Sequence, residues 1–203
     1  ENVMYYPPTI SLIQCLLNNG YRVKLVSQGG DSLPEEIRKN KNFSYRTLSI
    51  KKSKKLYERI IERRKHQDFF RAELQLVEKE DLIWTVNPLI VRSLGKELLK
   101  YGNQHIMQVL ELTNDLPLFK GAKKLRFDLS KYARNASKVV VAEKNRAYIQ
   151  RIEWKLKELP YIVPNKPYYY PTFTESEDLA DALNKMKNET RKIVVYLGVD
   201  RKS

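Results

Sequence analysis

The stretch from Lys138 to Pro171, KVVVAEKNRAYIQRIEWKLKELPYIVPNKPYYYP, constrains the fold of this chain more than any other. Lys138–Ala142 is a short apolar run rich in valine, the pattern of a strand buried on both faces. Glu143–Arg146 is a polar turn. Ile149, Ile152, Leu156 and Leu159 then recur at intervals of 3 and 4, which predicts the apolar face of a helix. Pro160 is expected to stop that helix, because proline cannot supply the next backbone donor. Tyr161–Val163 is expected to form a second strand. Strand, helix and strand make a βαβ unit, and such units build parallel sheets because a parallel connection needs a crossover.

The same alternation runs through the rest of the chain. Pro7-Pro8 pre-sets a helical turn, Ile10, Ile13 and Leu17 line one side of the helix, and Asn18-Asn19-Gly20 is its stop. Tyr21–Ser27 reads as a strand, Gly29-Gly30 as a loop, and Phe43–Ile50 as another strand. Lys51–Lys79 is a long charged segment expected to be helical, with Leu56, Ile60, Phe70, Leu74 and Val77 as its apolar face. Asp81–Val86 is a strand, Asn87 caps the next helix, and Pro88 holds its first position. Val91, Leu94 and Leu98 line that helix. Gln104–Leu110 is a strand, Glu111–Lys120 a polar loop, and Leu125–Arg134 a helix. Thr174 and Glu177 form a capping box for a further helix, and Lys192–Leu197 is a last apolar strand. Strands alternating with helices predict an α/β fold with a Rossmann-like, doubly wound parallel sheet. The strand that would normally precede the first helix is missing, and the sequence is expected to be a piece of a longer protein.

Lys and Arg number 38 against 24 Asp and Glu, a net charge of +14. That balance favours anionic partners: nucleic acid, an acidic membrane surface or phosphorylated ligands. Much of it falls in one segment, where Lys51, Lys52, Lys54, Lys55, Arg59, Arg63, Arg64 and Lys65 oppose only Glu58 and Glu62. Such a run is either a solvated helix or one whose basic residues face anionic lipid. The single cysteine, Cys15, precludes an internal disulfide, and its place in an apolar run points to packing rather than nucleophilic chemistry. No zinc-ligand spacing is present and no metal is expected. No stretch is long and apolar enough to span a bilayer, and the basic n-region of a signal peptide is missing. The expected location is cytoplasmic, at most peripheral to the inner face of the membrane.

In a doubly wound sheet, ligands bind beyond the carboxyl ends of the strands. That rule selects the loops Asn2–Tyr6, Gln28–Gly30, Thr85–Asn87, Glu111–Asp115 and Glu143–Arg146. Glu111, Asn114, Asp115, Glu143, Asn145 and Arg146 are the polar candidates, and helix N-termini there offer N–H groups to anions. No Walker loop, GxGxxG or Ser/His/Asp order is present. The two histidines make no dyad: His66 is expected to be solvated, and His105, inside a strand, to be packed.

VVVAEKNRAYI followed by a helix and PYIVPNKPYYYP resembles the N-terminal half of GT-B-fold glycosyltransferases, most like the retaining family 4. In that family a strand leads to a Ser/Glu-rich turn and a helix, and a "vPN" segment then enters the linker between two Rossmann-like domains. PPTISLIQCLLNNGYRVKLVSQGG is similar to the family's first helix and second strand, and KIVVYLG to the first strand of its donor-binding domain, with Gly198 in the first turn. The resemblance covers Val3 to Gly198. It implies an acceptor-binding domain over residues 1–170, and a linker helix plus the first strand of a truncated donor-binding domain over 171–203. It implies metal-independent transfer of a sugar, with retained configuration, from a UDP- or GDP-linked nucleotide-sugar to a saccharide or lipid-linked acceptor at the cytoplasmic membrane face. Cell-envelope or exopolysaccharide synthesis is the setting it implies, with the present stretch inactive alone. Acceptor binding would fall to Asn2, Tyr5, Asn87, Thr113, Asn114, Asp115, Glu143, Asn145 and Arg146, a phosphate or donor contact to Gly198, and the membrane to Lys51, Lys52, Lys54, Lys55, Arg59, Arg63 and Arg64. Family members often carry His at the end of the strand before the Glu111 loop. Here the sequence reads VLELTND, so the imidazole role does not carry over, and Glu111 becomes the candidate catalytic or hydroxyl-binding group. Two alternatives stand beside this: a non-catalytic interaction domain, and a basic nucleic-acid-binding domain with Tyr168-Tyr169-Tyr170 stacking on bases. No recognition motif accompanies those tyrosines, and nucleic acid is not the expected partner.

Overall fold

Pro7-Pro8 opens helix α1 (Pro7–Asn18), and Gly20, at φ +81°, closes it. The Gly20 amide donates to Leu17 O at 3.0 Å and the Tyr21 amide to Leu16 O at 3.1 Å, satisfying the last helical carbonyls. Strand β1 (Val23–Ser27) follows, then the short helix α2 (Glu35–Arg38) and strand β2 (Phe43–Thr47). Helix α3 (Leu56–Leu74) leads on to β3 (Ile83–Val86). Asn87 caps α4 (Pro88–Leu94), its Oδ1 accepting from Leu89 N at 2.8 Å with Pro88 at the first position. Gly95–Gln104 continues in tighter 3-10 turns to β4 (His105–Val109). The hairpin strands β5 (Asp115–Pro117) and β6 (Arg126–Asp128), helix α5 (Ser130–Asn135), strand β7 (Lys138–Val141), helix α6 (Lys144–Glu153) and strand β8 (Tyr161–Ile162) complete the order. This computed structural model describes residues 7–27, 33–48, 55–113, 115–117 and 126–166, apart from the side chains of Leu56 and Arg59. All of them belong to the unit Glu1–Tyr168; the expected helix after Thr174, the strand Lys192–Leu197 and Gly29-Gly30 lie outside the described residues.

The fold is α/β with parallel strands. β3, β4, β7 and β8 form one parallel sheet in that order, with Ile106–Val109 paired to Lys138–Val141. Val139, Val140 and Val141 are all buried, as a valine run covered on both faces should be. The β7–α6–β8 unit is present, with Val140 paired to Tyr161. The strands do not make a single sheet, however. β1 and β2 pair in parallel as a sheet of their own, and among the described residues neither β1 nor β3 has a second strand partner. β5 and β6 pair antiparallel, inside what the sequence suggests is a polar loop and the start of a helix. That helix is delayed because Asp128 Oδ1 accepts from the Ser130 amide (2.8 Å) and hydroxyl (2.5 Å), turning the chain just ahead of α5.

The core of the four-stranded sheet gathers Phe70, Leu74, Val91, Leu94, Leu98, Met107, Val109, Leu129, Tyr132 and Trp154. A smaller cluster of Ile13, Leu17 and Ile37 lies behind β1 and β2. Cys15 is only half-buried. Glu73 of α3 joins the layers: its carboxylate meets Lys24 of β1 at 2.7 Å and Arg46 of β2 at 3.2 Å, and Val26 packs against the larger core.

Two helices differ from the faces expected of them: α6 turns Ile149 and Ile152 to solvent, while α3, with Val77 just past its end, sets Phe70 and Leu74 against the core as expected and differs at Ile60. α6 buries Ala147 and Gln150, with Trp154 at its C-cap, and leaves Ile149 and Ile152 39% and 76% exposed. It also ends well before Pro160. Lys155 takes φ +53°, its amide donating to Ile152 O (3.2 Å) and the Leu156 amide to Arg151 O (2.9 Å), the same closure that Gly20 makes on α1. α3 is shorter than the Lys51–Lys79 span, and Ile60 lies on its solvent side. The inner side takes His66, which is half-buried and edge-on to Phe70 at 4.6 Å rather than solvated.

Candidate functional site

Parallel pairing of Val86 with Gln108 and of Val109 with Val141 sets the carboxyl ends of β3, β4 and β7 side by side. Asn87, the turn Leu110–Thr113 and the turn Ala142–Arg146 therefore share one rim. This is the place the α/β rule selects.

α6 holds the middle of that rim. Arg146 Nη1 donates to Leu110 O, and Gln150 Nε2 donates to Thr113 O at 3.4 Å. The helix thus grips the turn after β4 by two main-chain carbonyls, leaving Glu111 and Leu112 exposed at its apex. Arg146 Nε also lies 3.6 Å from Glu143 Oε2. The guanidinium therefore positions the rim. Glu143 and Asn145 are exposed beside it, and the first turn of α6 has no side-chain cap from Glu143. Asn87 is fixed on the other flank. Its backbone takes φ +149°, a conformation that costs a non-glycine residue roughly 1–3 kcal/mol. The cap bond to Leu89 N holds it there.

Asp115 departs from the rim. It forms an ion pair with Arg126 across the hairpin and lines an open pocket of about 370 Å³ with Asp128, Ser130, Glu153 and Trp154. A second pocket, about 270 Å³, is lined by Arg134, Lys138, Lys155 and Tyr161, at the opposite end of β7 from the rim. Asn2, Tyr5, Asn114, Gly198, Lys51, Lys52 and Lys54 lie outside the described residues, as does the side chain of Arg59. Lys55 stands 3.8 Å from Glu58, while Arg63 and Arg64 are exposed.

The histidines take no part in the rim. His105 opens β4 at the far end, is 1% exposed, and shares a 2.8 Å hydrogen bond between its Nε2 and Thr85 Oγ1. Burial pushes its pKa down to about 4, so at neutral pH it is an uncharged core group. His66 is lowered too, by burial first. Among the described residues no three His, Cys, Asp or Glu side chains stand close enough to hold a metal ion, and no helix is long and apolar enough to cross a membrane.

Sequence reasoning missed Gln150 and Trp154. The signal was available: Arg146, Gln150 and Trp154 recur every fourth residue, one side of a helix. A polar Gln on that line hides it from a search for apolar stripes. Chemically, the rim offers exposed carboxylates at Glu111 and Glu143, an exposed amide at Asn145, and a helix N-terminus without a side-chain cap. These are acceptors and donors for a polyhydroxylated ligand. Comparison with protein-family models, with curated proteins and with solved structures finds no match for this chain.

Proposed function

We propose that this chain is the acceptor-side half of a glycosyltransferase of the GT-B kind, moving a sugar from a nucleotide-sugar to a hydroxyl acceptor. The observation that carries the reading is the β7–α6–β8 unit, whose helix holds the Glu111 turn at the carboxyl rim of a parallel sheet. The order of elements around it supports the same reading. Glu111 and Glu143 accept hydrogen bonds from acceptor hydroxyls, Asn145 adds a donor, and Arg146 keeps the Glu111 turn in place. The nucleotide-sugar is gripped by a second half of the protein that follows Gly198. In the transfer, the anomeric C–O bond to the nucleotide phosphate breaks and a bond to the acceptor oxygen forms. The proton of the acceptor hydroxyl passes to the leaving phosphate oxygen, and the nucleotide departs with the electrons of the broken bond.

The test is nucleotide release by the natural full-length protein with UDP- and GDP-sugars and no added metal. Turnover with one donor is expected. Glu111→Gln and Glu143→Gln should each lower acceptor-dependent turnover by roughly 10-fold or more, the weight of a hydrogen bond to a charged group. No turnover with any donor, together with salt-steep binding to single-stranded nucleic acid, would overturn the proposal.

A further inference from the structure

We infer that the pocket at the amino end of β7 is a second binding site, for a small phosphate monoester with an apolar body. It lies at the opposite end of the strand from the rim, and the inference does not depend on sugar transfer. Three elements make its walls. α5 ends at Asn135 and α6 at Glu153, and the chain then bends back through residues 155–160 to start β8 beside β7. Between them is a concavity of about 270 Å³. Ligand pockets start at about 300 Å³, so the space suits a small molecule and not a length of polymer.

Positive charge converges on this pocket. Arg134, Lys138, Lys155 and Lys157 line it, against one carboxylate, Glu158. Arg134 is fixed in place: its Nη1 donates to Ser130 Oγ at 2.9 Å and to Trp154 O at 3.0 Å. Lys138 is the cation that Glu158 engages, Nζ to Oε2 at 3.5 Å, and it also stands 5.2 Å from the centre of the Tyr161 ring. Among the described residues, Lys155 and Lys157 have no acidic partner. Lys155 brings its ammonium there against resistance. Its φ of +53° is a conformation that glycine takes freely and that a Cβ opposes.

Two readings compete for these cations. One is that they only balance the negative C-terminal ends of α5 and α6. Those ends carry at most roughly half a charge each. Four cations less one carboxylate leave three positive charges. The helix ends answer about one of them, and about two remain. A carboxylate ligand supplies one negative charge, whereas a phosphate monoester supplies roughly 1.5 to 2 near neutral pH. The rest of the lining points to what the phosphate carries. Leu156 and Leu159 are half-buried and the Tyr161 ring is exposed, an apolar wall beside the charges. A nucleic acid strand would instead need cations spaced along a track of several phosphates.

The experiment is calorimetric titration of the natural full-length protein with phenyl phosphate, with benzoate as the singly charged control. Phenyl phosphate is expected to bind ~10-fold or more tighter than benzoate, the weight of one further charged hydrogen bond. Lys155→Gly and Lys157→Ala should each weaken phenyl phosphate binding by roughly 10-fold. Lys155→Gly also relieves the left-handed residue, so its melting temperature should not fall, and the lost affinity then reports the ammonium alone. Equal binding of phenyl phosphate and benzoate, or no binding of phenyl phosphate, overturns the inference. So does phenyl phosphate binding that is unchanged in both variants, the result expected if the lysines only balance helix ends or the ligand sits elsewhere in the protein. Single-stranded RNA that displaces phenyl phosphate, binds far more tightly and is weakened by the same two variants would overturn it in favour of a polymer.

Discussion

The two parallel sheets follow the same pairing rule and are buried to very different depths. In the four-stranded sheet, β7 buries Val139, Val140 and Val141, and the core beside it seals Val91, Leu98, Met107, Leu129 and Trp154 almost completely. In the two-stranded sheet, β2 leaves Ser44, Tyr45, Arg46 and Thr47 exposed, and among the described residues the cluster behind it has Ile13, Leu17 and Ile37 inside. A two-stranded sheet has too little covered surface to stand by itself. Here it is held by α1 and by the carboxylate of Glu73, which reaches both of its strands. Strand pairing thus sets the direction of a sheet, while covered faces set its stability.

The largest test of that difference is mutational. Trp154→Ala removes the largest fully buried side chain of the four-stranded sheet's core and should cost about 3–5 kcal/mol in denaturant unfolding. Ile37→Ala empties the smaller cluster, where the thin layer can collapse, and should cost about 2 kcal/mol. Equal losses would mean that the two sheets share one core, and the comparison would fail.

Acid should separate the sheets next. His105, in the four-stranded sheet, has its pKa pushed by burial from an ordinary 6.5 to about 4. Between those values the unfolded chain takes up a proton that the folded chain refuses. Stability therefore falls as pH drops from 6.5 to about 4, by about 3 kcal/mol in all. His105→Gln should lose that slope. Glu73 answers for the two-stranded sheet in a different window. Burial opposes its ionisation, but the bonds and charges of Lys24 and Arg46 outweigh it and hold the carboxyl below its ordinary 4.5. Its contribution is therefore present above 4.5 and is lost only as pH falls further. Amide exchange followed against pH should show β4 and β7 loosening first. If β1 and β2 open above pH 4.5 while β4 stays closed, the assignment of the two windows is wrong.

What could be read in the sequence follows from which signals are local. The valine run of β7, the Asn87-Pro88 cap and the Gly20 stop each depend on a few adjacent residues, and each is found where expected. The rim of Asn87, Glu111, Thr113, Glu143 and Arg146 was also legible, because parallel pairing alone brings those strand ends together. The facing of α6 was not, and that of the α3 segment was legible for Phe70, Leu74 and Val77 but not for Ile60. An apolar period says that a helix has a stripe, but not that the stripe points inward. Gln150 takes the inner place on α6 because Thr113 O is there to receive it, and Glu73 takes one on α3 because Lys24 and Arg46 wait for it. Both partners are far away in sequence. The hairpin β5–β6 hides for a similar reason: strands this short show no period, and the Asp115–Arg126 pair that joins them is a contact across the hairpin. Arg146, which reads as a ligand group, spends its guanidinium on the main chain of Leu110, a neighbour only in three dimensions.

The smallest contrast lies in how the two layers end their helices. α1 and α6 close with the same pair of amide bonds around a left-handed residue, Gly20 at φ +81° and Lys155 at φ +53°. Glycine takes that conformation at no steric cost, whereas a lysine must carry its Cβ against the following carbonyl. Lys155→Gly should therefore raise stability by about 1 kcal/mol, and Gly20→Ala should lower it by a similar amount. No atom lies within 4 Å of where a Cβ on Gly20 would sit, so that loss would come from the backbone alone and not from a clash. Thermal melts of the two variants should shift in opposite directions. Such a result would place unrelieved local strain in the well-covered layer, where packing of Trp154 outweighs it, and none in the thin one, which has no comparable packing to offset it. A Lys155→Gly melt that stays put would show instead that the lysine stem recovers by packing what its backbone loses.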